Sequence, residues 1–271
     1  MDLAPSERFS NDGFVVVRGL LSPADVASYV ERLKTLAGGK ERWTLPDGVN
    51  SQPEFWPLVL DERLLAAVRS VLGPDIRYLP HNDLHVGFSS FSWHRDSVNR
   101  ELGEGPDWDE SGEPYRLARV GIYLQRFAAS GFRLGFVKGS HHRPSRRTGA
   151  LASVVSGLSG IDLVGADAEW IATEPGDCVI FDPRMLHTGS RFHGEKYSVF
   201  LAYGVESAHF DRHWHYYVKM REDLAYSSIA PALAERLRAA GLLADGPPPD
   251  LEVNGAWLPS QAYTYVARRF K

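Results

Sequence analysis

The chain has 271 residues, 44% of them hydrophobic, with 30 lysines and arginines against 34 aspartates and glutamates. That is enough apolar chain for one large buried core, and the formal charge of -4 gives no general affinity for nucleic acid. The single cysteine, Cys178, excludes an intramolecular disulfide framework and a cysteine-based zinc site.

The opening MDLAPSERFS carries charge early and lacks the apolar stretch of a secretion signal, and no run has the apolar length needed to cross a bilayer. A cytoplasmic protein with no membrane partner is expected. It reads as one domain over 1–271, with an N-terminal strand and helices (1–75), a core (76–204) and a C-terminal helix and tail (205–271). FSNDGFVVVRGLLSPADVASYVERLKTL predicts a short apolar strand and then a helix. Ser22 is the N-cap candidate, Pro23 takes the first helical position, and Leu33 and Leu36 continue a helical stripe. DERLLAAVRSVLG (Asp61–Gly73) predicts a second helix that ends at a Gly-Pro stop.

From about Ile76 the texture changes to short runs divided by Gly, Pro and Asp. They are IRYLPHNDLHVG, SSFSWHRD, RLARVGIYLQRF, FRLGFVKGSH, AEWIATEPG, DCVIFDPRMLH and EKYSVFLAYG. Seven strand-like runs without helical pattern between them point to a sandwich or jelly roll, mainly β with flanking helices, rather than βαβ units. SIAPALAERLRAAGLL predicts a late helix, and ADGPPPDLEVNG a proline-rich connector.

In SWHRDSVNRE, His94 and Asp96 stand two residues apart, so on a strand they share a face. Taken alone, the pair fits a solvated strand as well as a metal site. His187, at the end of the apolar run GDCVIFDPRMLHTGS, is a candidate third ligand, or a histidine satisfied at a strand end. Two neutral imidazoles and one carboxylate on one face of a metal, with open positions opposite, are the requirements of a non-haem iron site. A second alternating set, His209, Asp211, His213 and His215 in HFDRHWH, has no apolar strand partner and reads as rim or substrate-contacting residues.

In the order and spacing of four segments the chain, from roughly Phe9 to Gly204, resembles the phytanoyl-CoA dioxygenase-like family of iron(II)/2-oxoglutarate oxygenases. FSNDGFVVVRGLLSPADV resembles that family's first strand and helix, and WHRD its HxD strand. GFVKGSH is similar to its PGSH signature, with Lys138 in place of the proline, and EPGDCVIFDPRMLHTGS resembles its distal-histidine strand. The resemblance implies a double-stranded β-helix (cupin-like jelly roll) with iron(II) held by His94, Asp96 and His187.

It also implies 2-oxoglutarate as cosubstrate, its far carboxylate held by a cation on the strand after the distal histidine. The family usually places an arginine there; this chain has Lys196, followed at i+2 by Ser198, similar to the RxS pair of other members. Lysine supplies a point charge and hydrogen bonds but loses the bidentate fork. Collagen prolyl hydroxylases, a related group, use lysine at the equivalent place. Arg191, in TGSRFHGE, is the second candidate cation. Tyr123 either touches the cosubstrate or packs, depending on which face of ARVGIYLQ lines the cavity.

The implied reaction consumes O2 and 2-oxoglutarate, releases succinate and carbon dioxide, and hydroxylates a C–H bond. Related halogenases carry a small residue at the place of Asp96, so its presence favours hydroxylation. A cupin-like metalloenzyme that does not use 2-oxoglutarate, or a non-catalytic binding barrel, are the alternative readings. Arg95, Arg100, Arg143, Arg146 and Arg147 near the HxD and GSHH segments point to a small polar, anionic metabolite as substrate. Trp93, Trp108, Trp214, Tyr216 and Tyr217 are candidates to pack against a ring or sugar face. A long acyl-CoA, the substrate of the family name, would need an apolar groove that the sequence does not display.

Overall fold

A computed structural model of the chain describes residues 3–91, 93–96, 98–99, 107–108, 113–142, 168–220, 226 and 229–246. The N-terminal segment begins with a helix absent from the strand-then-helix expectation. This helix, α1 (Pro5–Asp12), is closed by Gly13, whose φ of 89° suits the left-handed cap and whose N–H reaches the Phe9 carbonyl at 2.9 Å. The expected strand follows as β1 (Phe14–Val17) and the expected helix as α2 (Pro23–Ala37). Ser22 Oγ accepts the Asp25 N–H at 3.2 Å and the Asp25 carboxylate accepts the Ser22 N–H, which forms a capping box. The second expected helix spans Glu62–Leu72, with Asp61 as its N-cap.

The remaining strands are β2 (Trp43–Pro46), β3 (Ile76–Val86), β4 (Val98–Asn99), β5 (Asp107–Trp108), β6 (Leu117–Tyr123), β7 (Arg133–Phe136), β8 (Glu169–Ala172), β9 (Asp177–Phe181), β10 (His187–Gly189) and β11 (Tyr197–Val205). They form a six-stranded sheet in the order β1-β9-β6-β11-β3-β2 and a three-stranded sheet in the order β10-β7-β8, with β4 and β5 as a short parallel pair. This is the jelly-roll core with flanking helices. β9 runs antiparallel to β1 on one side, with Val15 opposite Ile180, and to β6 on the other, with Val120 opposite Ile180. Every residue of β9 is buried, so its run of apolar side chains suits a central strand.

By its contacts the chain divides into two compact units. The first comprises Met1–Leu45, Leu84–Arg95 and Arg119–Phe200. Its core joins Phe14, Tyr123, Phe136, Val179, Phe181 and Met185. The second comprises Pro46–Asp83, Asp96–Ala118 and Leu201–Lys271, with Leu79, Leu117, Ala202, Phe210 and Trp214 packed together. Burial of such side chains contributes about 1.5–3 kcal/mol each.

Two expectations are corrected, and a segment without a predicted element proves helical. SSFSWHRD is not a ladder strand: its described residues make one isolated bridge, between His94 and His187. DCVIFDPRMLH is two strands rather than one, broken after Phe181 by the Asp182-Pro183 turn. HFDRHWH is helical, within Ala208–His215, where Ser207 caps the first turn by accepting the Phe210 N–H at 3.3 Å.

Candidate active site

His187 owes its position to the turn before it. The Asp182 carboxylate accepts the Arg184 backbone N–H at 2.8 Å and pairs with its guanidinium at 2.7 Å, while the Met185 N–H reaches the Asp182 carbonyl at 2.9 Å. The chain thereby leaves one sheet and enters the other, so His187 opens β10 instead of ending β9. On one side it lies opposite Phe136 of β7. On the other it exchanges two backbone hydrogen bonds with His94, of 3.0 and 2.9 Å, and the two rings stand 4.2 Å apart.

Asp96 completes the group. One ligand atom each from His94, Asp96 and His187 can be chosen so that all lie within 4.8 Å of one another. Among the described residues no other three His, Cys, Asp or Glu side chains gather in this way. His187 is buried, whereas His94 and Asp96 are half-buried, leaving access from one side. The His187 Nδ1–H donates to the Met185 carbonyl at 3.0 Å, which leaves the Nε2 lone pair for a metal. The rings of Phe181 and Phe136, at 4.8 and 5.9 Å, hold the imidazole in place. Two imidazole nitrogens and one carboxylate oxygen fit a divalent transition ion such as iron(II).

Arg95, between the two ligands of the HxD segment, does not serve as a steering cation at a cavity mouth. Its Nη1 donates to the Ser140 carbonyl at 2.9 Å and to the Arg184 carbonyl, and burial lowers its pKa to about 10. Ser140, in the GSH segment, accepts the Leu186 N–H through its hydroxyl at 2.9 Å. Arg95 and Ser140 thus tie the HxD segment to the turn that aims His187. Arg100, Arg143, Arg146 and Arg147 lie outside the described residues.

The cosubstrate candidates separate cleanly. Arg191 is exposed in the loop after β10, whereas Lys196 is 2% exposed at the start of β11. The Lys196 ammonium donates to Ser198 Oγ at 3.0 Å and lies 4.5 Å from the Phe132 ring centroid and 5.9 Å from that of Tyr123. Among the described residues no carboxylate pairs with it. Burial lowers its pKa to about 7. An ammonium has three donors, so two remain open in a dry, aromatic-walled place. Tyr123 is fully buried; its hydroxyl has no hydrogen-bond partner among the described residues, and burial, with Cys178 adding, pushes its pKa up.

Two residues beside Lys196 escaped the sequence reading. Arg119, in the run ARVGIYLQ, is buried on β6 with its guanidinium 5.6 Å from the Phe200 ring. His85, on β3, lies 5.1 Å from the same ring. Burial, then Lys196, then Arg119 hold the His85 pKa well below its ordinary value. The available signal was the alternation of His81, Asp83 and His85 along one face of β3.

The second histidine set belongs to the second unit. His209, His213 and His215 are buried, and His213 Nε2 lies 2.9 Å from His81 Nδ1, whose ring stacks on Tyr217 at 3.4 Å. Trp214 packs in the second unit's core, and Tyr216 and Tyr217 cluster with Tyr226. Of the proposed aromatic contacts, Trp93 is half-buried against Trp170 at 5.9 Å, and the side chain of Trp108 lies outside the described set.

A model of the phytanoyl-CoA dioxygenase family matches residues 9–198. HygX from Streptomyces hygroscopicus, solved with nickel and 2-oxoglutarate bound, is 22% identical with a TM-score of 0.56, covering 73% of this chain and 84% of its own. SnoN, a non-haem alpha ketoglutarate dependent epimerase from nogalamycin biosynthesis, is 18% identical with a TM-score of 0.54, covering 76% and 87%. ThoJ, a non-haem monooxygenase, is 19% identical with a TM-score of 0.55, covering 74% and 77%. At these identities the likeness is one of fold. No curated protein matches the chain.

Proposed function

Because the chain belongs to the phytanoyl-CoA dioxygenase family, and is with it a non-haem iron(II)- and 2-oxoglutarate-dependent oxygenase, we propose that it hydroxylates a small polar metabolite at a centre formed by His94, Asp96 and His187. The observation that carries the reading is the convergence of these three side chains, within 4.8 Å, with a buried and carboxylate-free lysine in the same unit as the two histidines. Bound iron(II), with 2-oxoglutarate as electron donor, supplies an oxidant able to break a C–H bond. Substrate, 2-oxoglutarate and O2 become hydroxylated product, succinate and carbon dioxide.

The chain's own residues do the binding and the positioning. His187 presents Nε2 because Met185 holds the proton on Nδ1. His94 is oriented through its two backbone bonds to His187, and Asp96 supplies the anionic ligand. Lys196, with Ser198 beside it, holds the far carboxylate of 2-oxoglutarate, since a carboxylate is all acceptor and an unpaired buried ammonium is all donor. Tyr123 and Phe132 wall that pocket and keep water from competing for the charge. An anionic group on the substrate is part of the proposal and rests on the arginine-rich segments of the sequence; Arg95 is no longer among its supports. HygX has been solved with hygromycin B bound, a small molecule, which is compatible with a metabolite-sized substrate here.

A panel of candidate metabolites, scored by succinate release and then by the gain of one oxygen atom in the product, tests the proposal. Succinate that never exceeds the substrate-free background, or a product without added oxygen, would refute hydroxylation. An anionic substrate should show a KM that rises with ionic strength; turnover of a neutral lipid would refute that part.

A further inference from the structure

We propose that His85 is a further contact for the cosubstrate, donating from its imidazole to an oxygen of the anion that Lys196 holds. The proposal rests on the reading of Lys196 given above. It starts from a pairing that is absent. Among the described residues His85 makes no hydrogen bond, although it is a half-buried histidine on a central strand. Other histidines nearby are engaged: His187 with Met185, and His141 with the Ser10 carbonyl at 2.9 Å. The His85 ring nitrogens are not committed to any protein group among the described residues, so the imidazole can donate to a ligand.

The surroundings name that partner. The Gly87 N–H donates to the Lys196 carbonyl at 2.8 Å, so β3 is fastened to the first residue before β11 just beyond His85. Around the Phe200 ring stand His85 at 5.1 Å, the Arg119 guanidinium at 5.6 Å and Tyr123 at 6.2 Å, and the Lys196 ammonium lies 5.9 Å from the Tyr123 ring. The charged groups acting on His85 are Lys196 and Arg119, and both are cations. Burial first, and then these two cations, keep the imidazole neutral, with one N–H to give and no carboxylate acting on it. A dicarboxylate offers only acceptors, and would meet donors from Lys196 and His85 together. Its negative charge would also reverse the field on His85 and favour an imidazolium, which donates from both nitrogens.

Anaerobic calorimetry of 2-oxoglutarate binding to the iron(II)-loaded protein provides the test. His85→Phe should weaken binding about tenfold, the scale of one hydrogen bond to a charged group, while iron affinity and melting temperature stay near wild type. His85→Gln, which keeps an N–H donor, should recover most of the loss. A packing role alone would lower the melting temperature and would not distinguish glutamine in this way. In wild-type protein loaded with zinc(II), the His85 ring nitrogen resonances should shift when 2-oxoglutarate is added, a readout that needs no variant. Unshifted resonances, or wild-type affinity in His85→Phe while Lys196→Ala binds weakly, would overturn the role of His85 and leave the pocket standing. Wild-type affinity in Lys196→Ala would instead overturn the pocket itself.

Discussion

His187 and Lys196 are nine residues apart and both buried, yet their surroundings are opposite in kind. The imidazole is satisfied: Met185 takes its proton, His94 takes its backbone groups, and Phe136 and Phe181 fix its plane. The ammonium has one hydroxyl partner, aromatic walls and a pKa lowered to about 7 by burial. One region is complete without its ligand, and the other has a charge that only a ligand would balance. In the roles proposed for them, the metal centre is preorganised by neutral hydrogen bonds, whereas the anion pocket would hold unbalanced charge until the anion arrives.

The largest effect separates the two regions outright. His94→Ala, Asp96→Ala and His187→Ala should each abolish succinate formation and lower iron content while circular dichroism stays native, because two ligands hold iron weakly. Full activity in any one of them would remove that residue from the centre.

Lys196→Ala should act on the other region alone. Cosubstrate affinity should fall about ten- to a hundredfold, the scale of 1.5–3 kcal/mol for hydrogen bonds to a charged group, with iron affinity nearly unchanged. Arg191→Ala, altering an exposed loop residue, should leave both alone. The reverse pattern would move the pocket to Arg191.

The same lysine makes the comparison visible through pH. Its pKa is 10.5 in the ordinary range and about 7 here, so between those values the folded protein binds fewer protons than the unfolded chain. The burial penalty of the charge is therefore fully present below about pH 7 and is relieved as pH rises toward 10.5. Cosubstrate affinity runs the other way. It is greatest where the ammonium is charged and should fall by up to about tenfold per unit as pH rises above about 7. Lys196→Arg, charged throughout, should flatten that dependence; a profile as steep as wild type would exclude Lys196 as its source.

A smaller effect is expected from Arg95→Gln, which cuts the tie between the HxD segment and the Ser140 and Arg184 carbonyls. Iron affinity should drop by roughly tenfold, the lower end of what outer-shell partners contribute, without loss of 2-oxoglutarate binding at saturating iron. An unchanged iron affinity would show that the backbone bonds of His94 and His187 suffice.

How much of this could be read from the sequence differs between the same two regions. The three side chains that the structure brings together could be picked out in the sequence because the chemistry proposed for them dictates residue types: an HxD pair and one later histidine after an apolar run. Their local structure was misjudged, since Asp182-Pro183 reads as a turn signal that divides the run, and the HxD segment meets β10 in a single bridge at His94. The helix at Ala208–His215 was hidden by its alternating histidines, although Phe210 and Trp214, at i and i+4, already form a helical stripe. Lys196 was singled out as the proposed cation by its place nine residues after His187. His85 and the depth of Arg119 were not, because a histidine or arginine on a strand has the same pattern whether it faces a pocket, a partner or water. Only its place beside the Phe200 ring and the lack of a hydrogen bond among the described residues set His85 apart.

The most direct measurement of the central claim is succinate formed from 2-oxoglutarate under air, compared in wild type and Asp96→Ala with and without iron(II). If His94, Asp96 and His187 hold the iron of an oxygenase, succinate should appear in wild type only when iron and oxygen are both present, and should be absent in the variant. Succinate formation that is indifferent to iron, or undiminished in Asp96→Ala, would contradict it.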